Sequence, residues 1–101
     1  MKVEILHIAG CPNAVPAREI VEQALTQLGV EADVQTVLVS GEEAPGSRGF
    51  AGSPTVLING RDVEPTQATG VACRIYPGGK GVPALEAILR AVERARAVEK
   101  A

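Results

Sequence analysis

Val3-Glu4-Ile5-Leu6-His7-Ile8, running on into Ala9-Gly10-Cys11-Pro12-Asn13, is the stretch on which the fold turns. The first six residues are short, branched and mostly apolar, and Ala9-Gly10 bounds them, so they read as a strand buried on both faces. From Ala14 to Leu28 the apolar residues Ala17, Ile20, Val21, Ala24, Leu25 and Leu28 recur at three- and four-residue spacing. That periodicity predicts an amphipathic helix, with Gly29 in the left-handed position that ends it. Cys11 therefore stands where a strand passes into a helix. Working outward, Ala32 to Val39 begins with alternation and ends apolar, which predicts a second strand; strand, helix and strand with short joints form a right-handed parallel unit.

The next segment, Ser40 to Gly52, holds Gly41, Pro45, Gly46, Gly49 and Gly52, so a helix over Glu42 to Phe50 is short or irregular, with Phe50 as its anchor. Thr55-Val56-Leu57-Ile58, Asn59-Gly60 and Arg61-Asp62-Val63 spell a hairpin, because Asn-Gly supplies the positive φ angles of a two-residue turn. Pro65 to Gly81 reads as a long loop carrying Cys73 and Tyr76. A final helix starts near Pro83, presents Leu85, Ile88, Leu89 and Val92 as a stripe, and frays through Arg94-Ala95-Arg96. Its Arg90, Arg94 and Arg96 alternate with Glu86, Glu93 and Glu99, the pattern of a solvated face.

The chain has 101 residues, 46% hydrophobic and 22% charged, which suits one domain spanning residues 1–101. A formal charge of −2 leaves no electrostatic footprint for nucleic acid. No run approaches the ~18 apolar residues of a membrane span, and no signal-like core follows the amino terminus, so we expect a soluble cytoplasmic protein. The two cysteines, Cys11 and Cys73, are too few for a disulfide scaffold or a tetrahedral zinc site, and His7 is the only histidine. Nothing in the chain calls for a cofactor or a structural metal.

Gly10-Cys11-Pro12-Asn13 at the first joint, Ser53-Pro54-Thr55 before the third strand, the Asn59-Gly60 hairpin and the order of elements together resemble the thioredoxin-like proteins. The resemblance covers most of the chain and is closest to small bacterial members. It implies an α/β fold with a four-stranded mixed sheet (β-α-β-α-β-β-α) and helices on both faces. It also implies a cis bond at Ser53-Pro54 facing the cysteine. Pro12, Ser53, Pro54 and Thr55 are the implied substrate-binding residues, with Ser53 or Thr55 backbone groups pairing with an extended peptide. Where the family carries Cys-x-x-Cys this chain reads Cys-Pro-Asn-Ala, so Ala14 replaces the second cysteine and the ordinary dithiol route is closed.

Cys11 lies near a helix N-terminus, whose unpaired N–H groups and positive dipole end favour a thiolate. Pro16 decides where that helix starts: with Asn13 as N-cap it falls harmlessly at the third helical position. Cys73, beside Arg74, is the candidate resolving cysteine. His7 lies four residues before Cys11, roughly 13 Å away in extended chain, so no direct role is expected of it. The leading reading is a thiol redox protein in which Cys11 and Cys73 are catalytic and a protein or low-molecular-weight thiol or disulfide is the partner. Two other readings are a soft-metal protein, binding Hg(II) or Cu(I) through Cys11 and Cys73, and a redox-inactive interaction module.

Overall fold

The computed structural model describes residues 1–39, 52–65, 74–77 and 79–100. The irregular helix expected over 42–50, Phe50 and Cys73 lie outside the described residues. The elements run β1 (Lys2–His7), α1 (Ala14–Leu28), β2 (Asp33–Leu38), β3 (Thr55–Ile58), β4 (Arg61–Asp62) and α2 (Leu85–Lys100). The sheet order is β2-β1-β3-β4. β1 is parallel to β2 and antiparallel to β3, and β3 is antiparallel to β4, so the sheet is mixed, as the strand-helix-strand unit and the Asn59-Gly60 hairpin imply.

β1 lies second in the sheet, and Val3, Ile5 and Leu6 are fully buried because the strand is covered on both faces. Val3 and Ile5 point to one side, where they join Val56 and Ile58 of β3, Ala17, Val21, Ala24 and Leu25 of α1, and Ile88, Ala91 and Val92 of α2 in one core. Leu6 points to the other side and packs with Leu57 and Val39. The two described helices thus share one face of the sheet, and the helix expected for the other face falls in the undescribed segment.

Gly29 ends α1 with φ 66° and ψ 32°. Its N–H donates to the Thr26 carbonyl at 3.2 Å and that of Val30 to Leu25 at 2.9 Å, the two bonds of a Schellman motif, with Val30 packed back on the core. Contrary to the expected fraying, α2 continues through Arg94-Ala95-Arg96 to Lys100. Long-range partners hold its last turns: Arg96 donates to the Leu28 carbonyl at 3.4 Å and to Glu93, and Ala95 packs on the core. Glu99 takes the Asn59 amide at 2.7 Å and faces the N-terminal ammonium at 3.6 Å. The Asn59 amide, and then that ammonium, hold the Glu99 carboxyl below its ordinary pKa.

The hairpin turn has Asn59 at φ 51° and Gly60 at φ 83°, the paired positive angles of a type I′ turn. No heavy atom lies within 4 Å of where a Gly60 Cβ would sit, so only the backbone demands glycine there. Beyond the hairpin, Arg74 crosses back to the sheet. Its guanidinium bonds Asp62 at 2.7 and 3.2 Å and also the Glu64 carbonyl, and it lies 4.3 Å from the centre of the Tyr76 ring.

Two stability predictions follow from these anchors. Gly60→Val should lower stability by about 1–2 kcal/mol, the penalty for placing an L side chain in the left-handed region. The urea midpoint should fall with unchanged slope, and an unaltered midpoint would refute the turn assignment. Arg74→Met should cost about 3 kcal/mol, because it strands the nearly buried Asp62 carboxylate. A loss under about 1 kcal/mol in the same measurement would show that Asp62 does not depend on this partner.

Candidate functional site

The C-terminal end of β1 and the start of β3 lie side by side, since Leu6 is registered with Thr55. Past the strand, the Ile8 N–H donates to Ser53 Oγ at 3.1 Å, and Gly10 (φ 74°) turns the chain so that the Cys11 N–H returns to the Ile8 carbonyl at 3.3 Å. Cys11 is a free, half-buried thiol, and Pro12 after it is exposed. Asn13 is the N-cap, with φ −101° and ψ 0°, and Ala17 makes the first internal bond to its carbonyl at 3.0 Å. Pro16 accordingly sits at the third helical position, where the absence of an N–H is harmless.

The Asn13 side chain makes no capping bond. It lies instead against Gly81, where an added Cβ would clash with Asn13 Nδ2. The Ala14 and Val15 N–H groups therefore have no cap acceptor among the described residues, and no acidic side chain sits in the first turn. Their partial positive charge is left to act on whatever lies beside them.

What lies beside them is an open hollow of about 240 Å³ lined by His7, Gly10, Cys11, Ala14, Val15, Arg18 and Thr36. His7 is in it because the strand alternates: Val3, Ile5 and His7 all point toward α1. His7 and Cys11 thus line one hollow, and no hydrogen bond joins the two. His7 Nδ1 lies 3.0 Å from the Ile8 carbonyl, which can only accept, so Nδ1 is the donor in this bond. Arg18 reaches across from α1, donating through Nε to Glu22 and through Nη1 to Thr36 Oγ1, both at 2.8 Å.

On the other flank, the Ser53-Pro54 peptide bond is cis. Ser53, Pro54 and Thr55 are buried, and Thr55 Oγ1 donates to the Gly52 carbonyl at 2.5 Å. The Ser53 carbonyl, expected to be available to an extended peptide, already accepts the Arg74 N–H at 2.8 Å. The Pro54 carbonyl accepts the Tyr76 hydroxyl at 2.6 Å. Burial pushes the Tyr76 phenol above its ordinary pKa, so it stays protonated and keeps donating. The Arg74 guanidinium is engaged by Asp62, Glu64 and Tyr76.

The structure thus brings Cys11 together with His7, Arg18 and Thr36, which motif reading missed. The two-residue alternation of β1 pointed to His7, and the four-residue step from Ala14 pointed to Arg18; no local signal marks Thr36. Cys73 lies outside the described residues. No curated protein and no solved structure matches the chain. The family model described as a thioredoxin domain matches residues 1–64, which takes in β1 to β4, Cys11 and Ser53-Pro54 and stops short of Arg74, Tyr76 and α2. With its strand-to-helix cysteine, mixed sheet and hairpin inside that match, the chain belongs to the thioredoxin domain family.

Proposed function

We propose that this chain is a thiol redox protein in which Cys11 is the only nucleophile at the α1 N-terminus. The observation that carries this reading is a half-buried free thiol opening on a hollow beside the uncapped N–H groups of Ala14 and Val15. Those amides stabilise negative sulfur, and the thiolate is the attacking form. In the reaction, Cys11 attacks one sulfur of a disulfide. A new S–S bond forms, the substrate's bond breaks, and the electron pair leaves on the second sulfur as a thiolate. Ala14 offers no thiol to finish the exchange from within the motif.

Cys73 is the proposed resolving residue. It precedes Arg74, whose N–H is bonded to Ser53, and Ser53 Oγ holds the Ile8 N–H next to the Cys11 turn. Attack by Cys73 on the mixed disulfide would form a Cys11–Cys73 bond and release the second substrate half as a thiol, so the substrate gains two electrons and the protein loses them. An external low-molecular-weight thiol is the alternative resolving agent. Pro12, at the surface beside Cys11, shapes the approach to the sulfur. A working free thiol suits a reducing compartment, and we place the protein in the cytoplasm. None of the described helices is long and apolar enough to cross a membrane.

Disulfide exchange should disappear in Cys11→Ser, whereas Cys73→Ser should still form the mixed disulfide but hold it until an external thiol is added. Mild oxidation of the parent should give a Cys11–Cys73 peptide by mass spectrometry, and that link requires the two Cα atoms to approach within about 7 Å. Exchange that survives in Cys11→Ser would refute the assignment of the nucleophile. Parent and Cys73→Ser chains that resolve at the same rate would remove Cys73 from the mechanism.

A further inference from the structure

The two flanks of Cys11 differ in a way that selects the substrate, given the reading of Cys11 as nucleophile. A protein substrate binds such a site as an extended strand, which needs main-chain partners at the edge it adds to. On the Pro54 flank the chain supplies its own segment: Arg74 N–H occupies the Ser53 carbonyl, Tyr76 OH occupies the Pro54 carbonyl, and both side chains are buried. Among the described residues nothing covers the other flank. There Gly10, Ala14 and Val15 give the hollow an apolar wall, and Val15 is 67% exposed although apolar.

At about 240 Å³ the hollow is smaller than the ~300 Å³ at which drug-sized pockets begin, so it suits a small molecule. Its polar groups are Arg18, His7 and Thr36. Arg18 is the only one with a fixed charge, and Thr36 holds its Nη1 toward β2. Nη2 has no partner among the described residues. The Glu22 carboxylate shares the guanidinium through Nε, but that pair is exposed and therefore weak. The uncapped amides of Ala14 and Val15 add positive potential from the helix end.

We infer that the substrate at Cys11 is a low-molecular-weight disulfide carrying a carboxylate, with its sulfur at Cys11 and its carboxylate on Arg18. The Cys11 thiolate takes the nearer sulfur into a mixed disulfide, and the other half leaves as a thiolate with the electron pair of the broken bond.

The test follows the first exchange step in the full-length Cys73→Ser chain with three probes. These are dianionic 5,5′-dithiobis(2-nitrobenzoate), neutral 2,2′-dithiodipyridine and dicationic cystamine, each rate divided by that of a neutral model thiol. At low ionic strength the normalised rate should favour the dianion over the dication by about tenfold, and added salt should shrink the ratio. Arg18→Gln should collapse the preference and Arg18→Lys should retain much of it. Glu22→Gln, which removes the competing carboxylate, should raise it. Equal preference in the parent and Arg18→Gln, or no preference in the parent, would overturn the inference while leaving Cys11 as nucleophile. A neutral probe that reacts no faster than the model thiol would instead count against the nucleophile itself.

Discussion

The pairing of β1 along both edges is the constraint on which the structure depends. With β2 on one edge and β3 on the other, its residues have no freedom to slip, because a one-residue shift would turn Val3 and Ile5 out of the helix-side core. The same register fixes which residues come off the end of the strand. His7 emerges on the α1 side and Ile8 meets Ser53, so the turn through Gly10 delivers Cys11 to the start of α1. The position of the thiol is therefore set by the core through β1 and by the turn bond from the Cys11 N–H to Ile8.

Around that fixed point the two flanks do different work. Arg74 and Tyr76 tie the Pro54 loop to the chain beyond β4, through a buried guanidinium on Asp62 and a buried phenol on Pro54. Both are outside the stretch that matches the thioredoxin domain family, so the clamp joins the remainder of the chain to Asp62 and Pro54 inside it. Among the described residues the α1 flank is left open, with the first-turn amides uncapped and the Asn13 side chain turned to Gly81. A capping aspartate at that position would have placed negative charge on the positive end of α1.

What was legible in the sequence was whatever local chemistry dictates. The helix bounds of α1 follow from its apolar spacing and Gly29, and the hairpin follows from the φ demands of Asn59-Gly60. The cysteine at the strand-to-helix joint was visible from the same patterns. The hollow was not, because it is assembled from three elements: Arg18 meets Thr36 only once β1 and β2 are in register. Nor was the Arg74–Asp62 pair, whose partners lie 12 positions apart along the chain. The last turns of α2 read as frayed because their own residues offer only mixed charge, while Leu28 and Asn59, which hold them, come from elsewhere in the fold.

The central claim is that folding, by setting Cys11 at the α1 N-terminus, makes it more reactive than it is in the unfolded chain. Isotope-coded iodoacetamide tests this directly, with limiting light reagent on the native protein, excess heavy reagent after unfolding, and a parallel sample labelled wholly in denaturant. The account predicts that Cys11 takes up light label about tenfold faster in the native protein than in the unfolded chain at neutral pH. Slower labelling of native Cys11, the behaviour of a buried and inert thiol, would contradict it.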